Sequence, residues 1–378
     1  MPKISAPMDY FPLSVAEGEA FCNRLEEITQ LKTCIEQLRP VLLVSPRRYG
    51  KTSLAIRAIT QMKMPFAQFD FFSVVEESDI EKVILQGAGK LISQMETIPK
   101  KALKLASELF DGTNIRAVLT KVGVSIEINR RKEKPAYYVL DILEKVERLA
   151  QKADKKIILF FDEFQCVGDV ASNHAMESVL RQVAQLTKSI AFIFSGSNRH
   201  LLNQMFEDRT RPFYKLCERI SLDRISEAAY SKHIQLAAKA IWHTEISSQA
   251  LDAIFSATAR HPYYVNLLCS RLMRGKLPDA EMVNQIWYQY AKEERSSVSS
   301  ETELLSKNQR KLLTILARVG ETKAPLGSEF IQKAKMAKAS IEQSLNFLEQ
   351  KDYIYKDENG STKLLDPLIQ VVLSEDEW

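Results

Sequence analysis

The stretch "VLLVSPRRYGKTSLAIRA", residues 41–58, joins an apolar run to a turn ending Gly50-Lys51-Thr52, and then passes into a helical pattern. That order of strand, turn and helix is the layout of a phosphate-binding P-loop, G-x-x-x-x-G-K-[ST], except that Ser45 stands at the first glycine position. In such a unit the loop N–H groups point at phosphate oxygens, and the helix N-terminus adds its positive end. Lys51 neutralises the β/γ-phosphates and the Thr52 hydroxyl can ligate Mg²⁺. Gly50 lets the backbone approach phosphate without a Cβ. Ser45 sits at the loop entrance, where Pro46 biases it toward an extended conformation. It therefore reshapes entry to the loop and leaves binding intact. Pro46, Tyr49 and Ser53 complete the nucleotide-binding set, and Arg47 and Arg48 are either solvated or close to the γ-phosphate.

A second element, "KKIILFFDEFQ", is an apolar strand ending in two carboxylates. Asp162 at such a strand end holds Mg²⁺ as a Walker B aspartate does, and Glu163 is placed to orient and activate a water. In a third, "AFIFSGSNRHLL", Ser195, Ser197 and Asn198 close another strand. They either hydrogen-bond the γ-phosphate or lytic water, or simply make the turn. Catalytic roles thus fall to Glu163 and Lys51, with Ser195, Ser197 and Asn198 as open candidates, and Mg²⁺ to Thr52 and Asp162.

The first half alternates near-continuous apolar runs, 40–45, 66–72, 156–163 and 190–196, with helical stretches, which predicts an α/β fold with a parallel sheet covered on both faces. Residues 99–135 read as an inserted hairpin ending in a solvated basic turn, Arg130, Arg131, Lys132 and Lys134. From Ile225 onward helical patterns dominate. "RSSVSSETE", 295–303, reads as a linker, and three helices followed by two strands across Glu358-Asn359-Gly360 read as a winged helix-turn-helix. The expected partition is 1–224 P-loop core, 225–297 a small helical domain and 298–378 winged helix; the resemblance given below makes the first an ATPase core and the second a helical lid.

Composition excludes several classes. No apolar run reaches the roughly 18 residues of a membrane span, and the first residues lack signal-peptide order, so a cytoplasmic protein is expected. The five cysteines have no C-x-x-C pair and the five histidines no ligand spacing, which argues against a disulfide framework and a dedicated zinc site. Neither a G-x-S-x-G elbow nor a G-x-G-x-x-G occurs. Residues 301–378 carry nine Lys and two Arg against thirteen acidic residues. That balance favours packing on the core or on a partner protein over DNA contact.

The set "VSPRRYGKTSL", "IILFFDEFQ", "FIFSGSNRHLL…RPFYK" and "ARHPYYVNLL", in that order, resembles the prokaryotic AAA+/STAND-like P-loop ATPases known as archaeal-type ATPases. The resemblance implies a core sheet of order 5-1-4-3-2, a helical lid and a winged helix. It implies that Phe21, Asn23 and Arg24 lie near the adenine, that Asn198 is the sensor-1 residue with Ser197 as runner-up, and that His261 and Pro262 pack on the base. The match departs at Ala259, where the family often has glycine. It departs again at Lys215, which stands where an arginine usually follows "PFY", leaving Arg209, Arg211 and Arg219 as rival finger candidates. The expected function is a Mg²⁺-dependent ATPase switch binding ATP and ADP, with a protein partner and self-association as further expectations. The alternative is a non-hydrolysing nucleotide-binding regulator whose winged helix engages DNA or protein, and a P-loop kinase is a more distant reading.

Overall fold

A computed structural model of the chain describes residues 10–121, 123–129, 133–170 and 174–375. They form two compact units, one of Arg24–Leu222 and one of Asp223–Trp378 together with Met1–Asn23.

The first unit is built on five parallel strands: β1 (Val41–Val44), β2 (Phe66–Asp70), β5 (Ile157–Asp162), β6 (Ile190–Gly196) and β7 (Glu218–Ser221). Their order in space is β2-β5-β6-β1-β7. Counted among themselves these strands run 5-1-4-3-2, as the resemblance implies. The three central strands are buried along their whole length, which explains their unbroken apolar sequence. An aromatic layer on one side ties the sheet together. Phe161 stacks on Phe69 at 4.8 Å and on Phe194 at 5.3 Å, and Phe164 closes over Phe194 at 4.7 Å. Each such ring, fully removed from water, contributes roughly 2–3 kcal/mol. The edge strand β7 is the fifth strand of that implied order, but the residue pattern did not locate it; it has four residues and only Ile220 is buried, too little for a periodic signal.

Helix α1 (Leu25–Glu36) precedes β1, and further helices follow the strands as the patterns predict, α2 (Lys51–Met62) and α3 (Glu77–Met95), the last opened by a capping box between Glu76 and Asp79. Residues 99–135 correct the sequence reading in part. A hairpin is present, β3 (Ile115–Thr120) with β4 (Gly123–Ile128), but a helix, α4 (Pro99–Leu109), precedes it. Its buried face is carried by Ala102 and Ala106, small residues set among lysines, and Pro99 opens its first turn. Of the basic run, Arg130, Arg131 and Lys132 lie outside the described residues, and Lys134 immediately precedes α5 (Pro135–Lys152) without a side-chain bond to it. Two helices, α6 (Gln165–Val170) and α7 (Ala175–Leu186), separate β5 from β6, and α8 (Arg199–Glu207) follows β6.

In the second unit four helices, α9 (Glu227–Trp242), α10 (Ser248–Thr258), α11 (Pro262–Leu272) and α12 (Ala280–Glu293), match the helical patterns. The supposed linker is itself a helix, α13 (Arg295–Glu303), because Val298 and Thr302 turn inward one turn apart and the Thr302 hydroxyl bonds back to the Val298 carbonyl at 3.0 Å. Next come α14 (Lys307–Val319), α15 (Ser328–Ala334) and α16 (Lys338–Gln350), with a three-stranded sheet of β8 (Glu321–Thr322), β9 (Ile354–Lys356) and β10 (Thr362–Leu364). A last helix, α17 (Pro367–Glu375), was not anticipated. It bridges the two halves of this unit: Val372 and Leu373 share one apolar core with Trp287 and Tyr290 of α12 and Leu312 and Leu316 of α14. Arg224 reinforces that core, donating to the carbonyls of Ala259 and Leu365 and lying 5.2 Å over the Tyr355 ring.

Candidate nucleotide site at the carboxyl edge of the sheet

The carboxyl ends of β1, β5 and β6 lie side by side, because β1 pairs with β6 and β6 with β5. That edge, where chains leave the sheet, is the usual place for a ligand in a parallel α/β fold.

From β1 the chain turns through Ser45–Gly50 and enters α2 at Lys51. Gly50 caps the helix at φ 91°, a conformation that excludes ordinary side chains, and no atom lies within 4 Å of where its Cβ would be. The space beside Gly50 is therefore open. Lys51 is buried, and its ammonium donates to Ser45 O and Pro46 O, each at 3.1 Å, and to Ser45 Oγ at 3.3 Å. Ser45 is thus a partner of the P-loop lysine, and its hydroxyl also bonds Pro46 O at 3.1 Å. Tyr49 is buried, Ser53 half-buried, and Arg48 takes φ 65°. The Arg47 guanidinium leans on the exposed Phe72 ring, 5.7 Å from its centroid.

Asp162 is the junction of the site. Its Oδ2 accepts from Thr52 Oγ1 at 2.8 Å, and its Oδ1 accepts from Ser195 Oγ at 2.7 Å and from Glu163 N at 3.1 Å. Burial pushes the Asp162 carboxyl above the usual carboxylate range, more than the Ser195 and Thr52 hydroxyls pull it back, and neighbouring Glu163 adds to the rise. Ser195, read beforehand as a candidate phosphate contact, is fully buried and serves this aspartate.

Glu163 stands at φ 50°, in the left-handed region, so the chain turns sharply out of β5. Such a position costs roughly 1–3 kcal/mol for a residue with a side chain. Its Oε2 accepts from Gln165 Nε2 at 2.6 Å and from Ser197 Oγ at 2.8 Å. Gln165 was missed; only its place two residues after Glu163 hinted at it. Its Oε1 is buried with no hydrogen-bond partner among the described residues, a state that costs about 1–3 kcal/mol. A Cβ at position 196 would meet that oxygen at 2.1 Å, so Gly196 leaves the room in which the Gln165 amide sits. Asn198 caps α8, its Oδ1 accepting from Leu201 N at 3.1 Å.

The remaining predicted residues divide. Arg24, at the head of α1, is ion-paired with Glu27 at 2.9 Å. Phe21 and Asn23 belong to the second unit, as do His261, which precedes α11 and lies 5.0 Å from the Tyr264 ring, and Pro262 in the first turn of that helix. Ala259 takes φ 46°, a left-handed cap that suits the glycine usual there. Among the rival arginines, Arg211 makes a two-point pair with fully buried Glu177, at 2.5 and 3.2 Å, and Arg219 bonds Asn203 at 2.9 Å and Glu207 at 2.8 Å. Lys215 pairs with Glu207 at 3.8 Å. Arg209 is exposed and makes no ion pair among the described residues.

The residues fit both groups that a P-loop implies. The open space beside Gly50 and the inward ammonium of Lys51 suit a phosphate, and the convergence of a hydroxyl on a buried carboxylate, oxygen donors only, suits a hard divalent cation.

A parallel sheet of this order, with a P-loop after its first strand and an acidic pair after the third, defines a P-loop NTPase. The chain belongs to the family described as "ATPase domain predominantly from Archaea", whose model matches residues 21–268, and residues 298–375 match "Probable winged helix domain". Among solved structures it is similar to the Walker-type ATPase PABY2304 of Pyrococcus abyssi, at 16% identity and a TM-score of 0.64 over 94% of this chain and 96% of that one. It is also similar to the ORC2 protein of Aeropyrum pernix in its ADPNP–ADP complexes, at 13% identity and a TM-score of 0.58 over 97% of each chain. At such identities these likenesses speak for the fold. No curated protein sequence matches the chain. No helix among the described residues is long and apolar enough to cross a membrane.

Proposed function

We propose that the chain is a Mg²⁺-dependent ATP-hydrolysing switch whose turnover is read out by its helical and winged-helix unit. The observation that carries this reading is the bond between Thr52 and Asp162 at the P-loop, with Glu163 adjoining. Thr52 and Asp162 would hold Mg²⁺, which when bound supplies charge neutralisation on the β- and γ-phosphates. Lys51 leaves its loop oxygens to pair with phosphate, and backbone N–H groups at the start of α2 donate to it. Glu163 accepts a proton from the attacking water. With Asn198 Oδ1 engaged as a cap, its Nδ2 is the atom that reads the γ-phosphate. Arg209 is the finger candidate that self-association would recruit, since Arg211 and Arg219 are committed within the unit. Because the lid helices and winged helix share a core, they respond to nucleotide state as one body.

Phosphate release from Mg²⁺-ATP by the purified chain tests the reading. Release that is lost in Glu163→Gln while ATP binding persists supports it. Equal release by wild type and Lys51→Ala sinks it.

A further inference from the structure

The Glu163 carboxylate is held at one oxygen only. Gln165 Nε2 at 2.6 Å and Ser197 Oγ at 2.8 Å both donate to Oε2, and no hydrogen bond to Oε1 is present among the described residues. An oxygen that already accepts two hydrogen bonds has its lone pairs committed, so taking up a proton falls to Oε1. The two donors come from different elements. Gln165 opens α6, directly after the turn at Glu163, and Ser197 follows the neighbouring strand β6. The carboxylate thus spans the ends of two adjacent strands, and it is coupled to the segment that carries Asn198.

The glutamine is poorly explained as core filler. Its amide is buried with Oε1 unsatisfied, and room for it exists only because residue 196 has no Cβ. What the arrangement gains is a short bond from Nε2 to Glu163 at 2.6 Å, beside a long contact to Cys166 Sγ at 4.0 Å.

We propose that Gln165 is a positioning residue for hydrolysis: together with Ser197 it clamps Glu163 Oε2 and thereby presents Oε1 to the attacking water. The role rests on the ATPase reading, in which Glu163 accepts the water's proton. Gln165 touches neither nucleotide nor water; it acts through the glutamate. Removing it leaves phosphate and metal groups in place and lets the carboxylate rotate about its last torsion.

Steady-state hydrolysis of Mg²⁺-ATP, the Kd of a fluorescent ATP analogue and the melting temperature are measured for the full chain and its variants. Gln165→Met keeps the length of the side chain and removes the donor, and half-buried Ser197→Ala provides the same loss at a position without packing demands. The expected result is a kcat lower by about tenfold in each, the ordinary worth of a hydrogen bond to a charged group, with Kd unchanged within about twofold. The double variant falls further, since in each single variant one donor still restrains the carboxylate. Wild-type kcat in Gln165→Met and Ser197→Ala, or a rise in Kd that matches the fall in kcat, overturns the positioning role while the ATPase reading stands. A wild-type chain that releases no phosphate overturns both.

Discussion

Thr52 and Asp162, 110 residues apart in the chain, meet through a hydrogen bond of 2.8 Å at the mouth of the P-loop. Removing the hydroxyl while keeping the branched shape, as in Thr52→Val, takes away one oxygen donor and leaves Asp162 in place. The Mg²⁺ concentration for half-maximal hydrolysis is expected to rise about tenfold or more, the usual scale for losing a metal donor or its support. A Mg²⁺ titration of phosphate release checks this, and an unchanged half-point refutes the metal role.

Asp162 also sets a pH dependence. Its carboxyl is held above the usual range chiefly by burial, so the folded chain retains that proton more tightly than the unfolded chain. The associated stability is fully present below the ordinary aspartate range, near pH 4, and is lost as pH rises through the folded value. In nucleotide-free, metal-free protein, Asp162→Asn is therefore expected to melt a few degrees above wild type at pH 7, and the gap is expected to close toward pH 4. Melting curves across that range measure it. A gap that widens on acidification contradicts the assignment.

The loop, the acidic pair and the central strands were legible because each rests on local pattern: a glycine-lysine-threonine turn, or a run of large apolar residues as long as a strand. What escaped was held by contacts between distant segments or by faint local signals. Ser195 stood out as a polar residue at a strand end, but nothing local said that it serves Asp162, since that bond depends on β5 pairing with β6. Gln165 was overlooked although its bond to Glu163 spans only two residues, because a glutamine after an acidic pair has no pattern of its own, and the buried Glu177 reads in sequence like any helix-surface glutamate. α4 escaped because alanines, not leucines, carry its inner face, and α13 because a serine-rich stretch reads as a linker until Val298 and Thr302 are seen to turn inward.

The arginines separate by what their loss leaves behind. Arg211→Ala strands the Glu177 carboxylate in a fully buried position, with His174 Nδ1 at 3.2 Å as its remaining side-chain partner among the described residues. Breaking a buried pair in this way costs about 3–5 kcal/mol. Arg209→Ala, at an exposed position, is expected to change stability by less than about 0.5 kcal/mol. It should instead lower hydrolysis only at protein concentrations where chains associate. Urea unfolding together with activity measured over a range of protein concentration distinguishes them, and equal destabilisation by the two variants would contradict the pairing.

The winged helix predicts weak binding to nucleic acid. A protein that neutralises phosphates shows an affinity that falls with salt, with a slope of about −0.9 per phosphate contact on duplex DNA. Such contacts need cations that are free to leave their own partners. On the hairpin, Lys363 is held between Glu321 at 2.6 Å and Asp357 at 2.9 Å, and these carboxylates keep its ammonium protonated and engaged. On α16 the first residue, Lys338, is followed by Glu342 and Glu349 on a face of mixed sign. Mutating Lys363 should therefore leave DNA affinity unchanged, and a plot of log affinity against log salt should be shallower than about −2. Fluorescence anisotropy with a labelled duplex, in the presence of ADP and of a non-hydrolysable ATP analogue, measures both. A slope of −5 or steeper in either nucleotide state would show that this domain reads phosphates after all, and would shift the expected partner from a protein to DNA.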